Sequence, residues 1–151
     1  MAKFNIKEVE DVIGITFNQT SLLKTALTHS SYANEQKIRK NGDYERLEFL
    51  GDAVLELISS EFLYKQYPDM TEGKLTKLRS SLVCEPALAQ CAKEIDLGSY
   101  LLLGKGEEAT GGRYRESIIS DVMEALIGAM YLDGGTQTVR DFICKYILSD
   151  I

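Results

Sequence analysis

Glu45, Glu48 and Asp52 place three carboxylates inside eight residues. The residues between them read as the start of a long helix. At 100° per residue Glu45 and Asp52 fall about 20° apart around its axis, with Glu48 about 60° to one side. Like charges at this spacing repel, so a solvated helix would interleave lysine or arginine on the same face. Only Arg46 intervenes, and it points about 100° away. A second acidic pair, Asp121 and Glu124, stands three residues apart in a stretch, Ser117 to Leu132, that carries no other charge. There Ile118, Ile119, Val122, Met123, Leu126, Ile127, Met130 and Leu132 point in almost every direction, the pattern of a buried helix. Burying an unpaired carboxylate costs several kcal/mol, roughly, unless a cation or hydrogen-bond donors compensate. Carboxylates without histidine or cysteine form a hard-oxygen donor set that suits Mg2+ or Mn2+ rather than zinc or copper. Such a centre acts on phosphate esters by acidifying a water and neutralising charge on the leaving oxygen. A set of salt-bridged structural acids is the alternative, and spacing alone leaves it open.

Other chemistries find little support. His29 is the single histidine, and the residue three before it is Ala26, so the paired Glu-x-x-His of a di-iron bundle is missing. His29 is expected to be a hydrogen-bonded structural residue. The glycines of Gly104 to Arg115 resemble a phosphate cradle, but Gly112 stands where a P-loop needs lysine. No G-x-S-x-G elbow supports a serine triad.

The elements that must carry the acids read as helices. Short ones are predicted over Ile6 to Ile13 and Asn18 to His29, the second capped by Ser21 or Thr20. Ser30 to Asn41 is polar and at best partly helical. The first acidic helix runs from Asp43 to Tyr67 and is stopped by Pro68. Its core stripe is predicted to be Leu47, Leu50, Val54, Leu57 and Ile58, nearly opposite the carboxylates. Phe49 falls on the acidic side and needs a covering loop or a second subunit. Thr71 to Val83 and Glu85 to Ile95 follow as helices, then a short apolar segment, the glycine-rich loop, the second acidic helix to Asp133-Gly134-Gly135, and a last helix from Thr136 to Leu148. Gly51 and Gly128 lie on or near the acidic sides of their helices. Mid-helix glycine costs roughly 1 kcal/mol against alanine. A close crossing would explain both and would bring Glu48, Asp52, Asp121 and Glu124 into one cluster.

With 151 residues the chain makes one domain's worth of core. Its net charge of −6 argues mildly against nucleic acid, less so if carboxylates hold cations. Three basic clusters remain: Lys37/Arg39/Lys40, Lys74/Lys77/Arg79 and Lys105/Arg113/Arg115. Cys84, Cys91 and Cys144, odd in number and without a CxxC, are expected to be reduced core thiols. With no apolar run behind Lys3, neither a secretory leader nor a membrane span is expected, and the cytoplasm is the expected compartment.

The stretch Glu45-Arg46-Leu47-Glu48-Phe49-Leu50-Gly51-Asp52-Ala53 resembles the signature of the ribonuclease III family. Leu27 to Tyr32, Glu72-Gly73, Gly111 to Ser117 and Asp121 to Gly128 extend the resemblance over nearly the whole chain. It implies an all-α endonuclease domain spanning residues 1–151, homodimeric, that needs Mg2+ (with Mn2+ as substitute) and no organic cofactor. Its substrate would be double-stranded RNA, cut to 5′-phosphate and 3′-hydroxyl ends with a short 3′ overhang, in ribosomal and messenger RNA processing. The resemblance makes Glu48, Asp52, Asp121 and Glu124 the metal ligands and Glu45 and Glu72 supporting acids. It makes Phe49 a plug into the other subunit, and Arg113 and Arg115 candidates for RNA contact. Typical bacterial members continue into a basic double-stranded-RNA-binding domain, so the chain reads as a shortened form lacking that domain. Two rival readings are an all-α, Mg2+-dependent nucleoside triphosphate pyrophosphohydrolase and a non-catalytic duplex-RNA-binding dimer.

Overall fold

The computed structural model describes residues 4–38 and 41–149. Among them eight helices and two 3-10 turns form the fold, with no strand beyond a parallel bridge between Thr28 and Leu102. The helices are α1 (Ile6–Ile13), α2 (Thr20–Ala26), α3 (Ser30–Glu35), α4 (Glu45–Gln66), α5 (Glu72–Val83), α6 (Glu85–Glu94), α7 (Lys105–Ala109) and α8 (Glu116–Tyr146). Arg39 and Lys40 of the first basic cluster lie outside the described residues. No described helix is long and apolar enough to cross a membrane.

The centre of the core is α4 laid against α8, with α6 and α2 packed on α8 as well. α8 is buried along its first half through Ile118, Ile119, Val122, Met123, Leu126, Ile127 and Met130, as its all-round apolar pattern predicts. Leu132 departs from that pattern and is 52% exposed. The Asp133-Gly134-Gly135 signal marks a break rather than an end, because Gly135 sits at φ 81 and ψ −173 and the helix resumes beyond it.

α4 buries Leu47, Gly51, Val54, Leu55 and Ile58, while Leu57 is 68% exposed. The core face is therefore turned by roughly 50° from the predicted stripe, toward Glu48. The turn has a backbone cause. A Cβ on Gly51 would lie 1.6 Å from the Glu124 carbonyl oxygen, and one on Gly128 would lie 2.3 Å from that of Leu47. The two helices cross with backbone against backbone, and the glycines, not the leucines, set the contact direction.

The predicted Ser21 or Thr20 cap of α2 is not used. Asp133, at the break in α8, accepts instead from the backbone N–H groups of Asn18 at 2.9 Å and Gln19 at 2.8 Å. Sequence reasoning had no access to a cap supplied from the other end of the chain. Asp133→Ala leaves both donors to solvent and should lower stability by about 1 kcal/mol. Urea unfolding checks this, and an unchanged midpoint would mean that water replaces the carboxylate without loss.

The glycine-rich loop contains α7 and a 3-10 turn at Gly112–Tyr114. Gly104 N–H donates to Ser31 Oγ at 2.8 Å and Lys105 N–H to Glu35 at 2.6 Å, fastening the loop to α3. No disulfide joins the three cysteines, but Cys84 is exposed and Cys91 and Cys144 only half-buried, so none is a fully buried core thiol.

Candidate active site

The α4–α8 crossing brings acids from both helices together. One carboxylate oxygen each of Glu48, Asp121 and Glu124 lie within 4.8 Å of one another, all three residues half-buried. Asp52, one turn beyond Glu48, is exposed and faces Glu124 across the crossing. Glu45 is exposed at the first turn of α4, near Glu48. Glu72 is not gathered. It opens α5, where Arg79 bonds to Glu56 and Ser60 of α4, so Glu72 lies ~10 Å further along α5, toward the far end of α4.

The carboxyls oppose ionisation. Burial, the Asp52 carboxyl and the charges of Glu48 and Asp121 raise Glu124 to about 8. Burial, then Asp121, then Glu45 and Asp52, raise Glu48 to about 7. Asp121 is raised by burial, against the hydrogen bond from Glu48 and the nearby His29, which lower it. Among the described residues no lysine or arginine is ion-paired with these acids, so no salt bridge from those residues accounts for them. A converging set of carboxylates without its own counter-charge fits a hard divalent cation held by oxygen ligands.

Tyr44 lies beside the cluster with the His29 ring edge-on against it, and sequence reasoning assigned neither to that place. Tyr44 is buried, caps α4 with its backbone, and carries a phenol held well above its usual range by burial and by Asp121 and Glu48. It stands four residues before Glu48, and that spacing was the available signal.

Arg113 is no surface residue. It is 5% exposed and donates inward to the carbonyls of Gly98 at 2.9 Å and Leu101 at 2.7 Å. It also pairs with Glu108, which it holds down at about 2. An arginine so engaged cannot reach RNA without unfolding its loop, so the expected contact is corrected for Arg113. Arg115 is partly exposed, pairs with Glu107 and donates to the Thr110 carbonyl.

Phe49 is 82% exposed. Beside it a groove of ≈ 660 Å³ is lined by Leu22, Leu47, Leu50 and Leu132. No loop among the described residues folds over it.

Fold and site together define an all-helical protein whose central helix pair carries a carboxylate centre of the hard-cation kind. Comparison with known proteins makes the class particular: residues 19–151 match the family described as Ribonuclease-III-like, and the chain belongs to the ribonuclease III family. Ribonuclease 3 of Bacillus cereus (strain G9842) and that of Bacillus anthracis (strain CDC 684 / NRRL 3495) are each 54% identical over 145 residues. The match covers 96% of this chain and 59% of theirs, so the chain spans about three-fifths of the length of these relatives. Among solved structures, the nuclease domain of ribonuclease III from Campylobacter jejuni superposes with a TM-score of 0.88 at 38% identity, covering 97% of this chain and 99% of that one. That domain shows structural flexibility in a region involved in dimer formation. Dicer from Pichia stipitis matches with a TM-score of 0.65 at 28% identity, over 89% of this chain and 56% of that one.

Proposed function

We propose that this chain is the endonuclease domain of a ribonuclease III, a homodimer that hydrolyses double-stranded RNA with Mg2+ and leaves 5′-phosphate and 3′-hydroxyl ends with a short 3′ overhang. The observation that carries the reading is the convergence of Glu48, Asp121 and Glu124 within 4.8 Å. Mn2+ would substitute for Mg2+, and no organic cofactor is needed. The cytoplasm, and processing of ribosomal and messenger RNA, are the proposed setting.

Glu48, Asp52, Asp121 and Glu124 would hold the cation, with Glu45 as a supporting acid; Glu72, set apart on α5, has no place beside them within this chain. When bound, Mg2+ supplies Lewis acidity and a water of lowered pKa. The chain's own contribution is preorganisation. Its carboxyls stand close on two packed helices, where their mutual repulsion would favour a cation among them. Burial of α8 behind them keeps that face of the cluster from bulk water. A-form RNA is met through shape and backbone, so the domain needs few base contacts. The greater length of the relatives leaves room for a basic RNA-binding domain outside the chain, and without one the affinity for duplex should be weak and sensitive to salt.

The test is a labelled RNA duplex incubated at low salt with and without Mg2+, both products being sized. Metal-dependent cuts with a short 3′ overhang support the reading. Intact duplex, with the chain folded and dimeric, overturns it in favour of a non-catalytic binding dimer. Pyrophosphate release from free nucleotides would point instead to the pyrophosphohydrolase reading.

The dimer rests on exposed apolar side chains along α4 and the end of the first half of α8: Phe49, Leu57, Tyr64 and Leu132. Phe49, exposed at the edge of a groove whose apolar part is four leucines and whose rim carries Asp43, Glu45 and Arg46, is the expected anchor. Phe49→Ala should weaken self-association by roughly 30-fold, the equivalent of about 2 kcal/mol. Sedimentation across the micromolar range measures this, and an unshifted monomer–dimer midpoint would remove the anchor.

A further inference from the structure

The groove beside Phe49 is assembled from three helices. Its apolar wall takes Leu22 from α2, Leu47 and Leu50 from α4, and Leu132 from α8. The backbone contact at Gly51 and Gly128 fixes α4 against α8. How α2 meets the end of the first half of α8 is set elsewhere. Leu132 is the last apolar residue before the break at Gly135, and Asp133 follows it directly.

Three consecutive backbone N–H groups ahead of α2 end on two carboxylates. Phe17 N–H donates to Glu10 at 2.7 Å, Asn18 N–H to one oxygen of Asp133 at 2.9 Å, and Gln19 N–H to the other at 2.8 Å. Glu10 belongs to α1, so of the two acids only Asp133 ties the segment to α8. Bonds to both oxygens of one carboxylate fix an angle as well as a distance. Leu23 and Ala26 bury the inner side of α2, but apolar burial is non-directional and sets its depth rather than its angle. Thr20 and Ser21 of the first turn are exposed, and Gln19 gives no side-chain cap. Leu22 N–H donates to the Gln19 carbonyl at 3.0 Å, so the chain of bonds runs from Asp133 through Gln19 to the groove wall.

The same patch offers an aromatic that is 82% exposed and a hole lined by leucines, with carboxylates and an arginine on its rim. A knob and a hole on one face are what an isologous contact between two copies of one chain requires. We propose that Asp133 is a positioning residue of this self-association surface. By clamping the start of α2 to α8 it sets the separation of Leu22 and Leu132, and with it the width of the hole that takes the Phe49 side chain of a second copy. The inference rests on the dimer reading with Phe49 as anchor.

Sedimentation of the 151-residue chain across the micromolar range, well below its melting temperature, tests the clamp. Asp133→Ala should weaken self-association on the order of 5-fold. Asp133→Asn keeps one acceptor oxygen and should fall between that variant and the wild type, and it serves in its place if Asp133→Ala does not fold. Asn5→Ala removes a different cap, the one given to Glu8 N–H at the start of α1, and should leave association unchanged. In the Phe49→Ala background Asp133→Ala should add little, because the side chain that reads the hole is gone. Wild-type association in every folded Asp133 variant, while Phe49→Ala is weakened, would overturn the proposal alone. So would an Asp133 effect of equal size with and without Phe49, or an equal loss in Asn5→Ala. A monomeric wild type would overturn the dimer reading and the proposal together, and an unshifted Phe49→Ala would remove the anchor on which both rest.

Discussion

Glu124→Gln should lower cleavage of an RNA duplex on the order of 10³-fold while the chain stays folded and still binds duplex. The size follows from the place of the residue. Glu124 joins Asp121 of its own helix to Asp52 and Glu48 of α4, so an amide there removes a charged ligand from the middle of the set. Glutamine keeps the volume, so packing against Gly51 survives. Single-turnover rates at saturating Mg2+, alongside duplex binding in Ca2+, separate chemistry from affinity. Cleavage within a few-fold of wild type would remove Glu124 from the site.

The same substitution should change how stability depends on pH. Glu124 and Glu48 are raised to about 8 and about 7 in the folded chain, above their ordinary values near 4.5. Over that window the folded state holds protons that the unfolded state has released, so stability falls as pH rises from about 4.5 to about 8. Metal-free protein should therefore melt lower at pH 8 than at pH 5.5. Glu124→Gln should flatten the slope, and Mg2+ should restore stability at pH 8 by binding only the folded form. Melts in chelator at several pH values give the slope directly, and a wild-type slope that rises with pH would contradict it.

The second large effect comes from a single methyl group. Gly51→Ala would place a carbon 1.6 Å from the Glu124 carbonyl oxygen, so α4 and α8 must move apart or the chain must unfold locally. Overpacking a core costs about 1–3 kcal/mol and more where backbone is the obstacle, well above the ~1 kcal/mol that alanine returns as a better helix former. A loss of about 3 kcal/mol is expected in urea unfolding, together with weaker Mn2+ binding because Glu48 is drawn away from Asp121. Gly128→Ala should act in the same direction and less severely, its added carbon meeting the Leu47 carbonyl oxygen at 2.3 Å. Gly73→Ala supplies the control. It lies in α5 with no neighbour within 4 Å, so the same chemical change should stabilise by about 0.5–1 kcal/mol. If all three glycines respond alike, the crossing does not hold the site together.

Local periodicity carried much of this architecture. α1, α5 and α6 lie within a residue or so of their predicted bounds, and α4 keeps its stop before Pro68. The crossing was legible because mid-helix glycines beside acids required a reason, and it duly joined Glu48, Asp121 and Glu124. The direction of the α4 core face was not legible. Period fixes which residues share a side, but the partner decides which side is buried, and here a backbone contact at Gly51 outweighed Leu57. The Asp133 cap and the inward Arg113 escaped for a related reason. Each satisfies backbone groups that sequence does not mark as waiting. Tyr44 was readable only in part, through its place one turn before Glu48, whereas His29 caps α3 through Nδ1 in keeping with a hydrogen-bonded structural residue.

Arg113 also bears on where the chain can be opened. Four glycines between Gly104 and Gly112 make the loop look like a place for a protease to nick or for a tag to be inserted. A trypsin-like enzyme must draw the arginine side chain into its own pocket, and here that side chain is buried, bonded to Gly98, Leu101 and Glu108. Cutting after Arg113 therefore requires the segment from Gly98 onward to come loose first. Cleavage after the exposed Lys105 requires only the bonds of Gly104 and Lys105 to α3 and the first turn of α7 to open. Within one loop, the bond beside the most glycine-rich stretch is the protected one, and the order in which these two bonds are cut would report how firmly the loop is closed in solution.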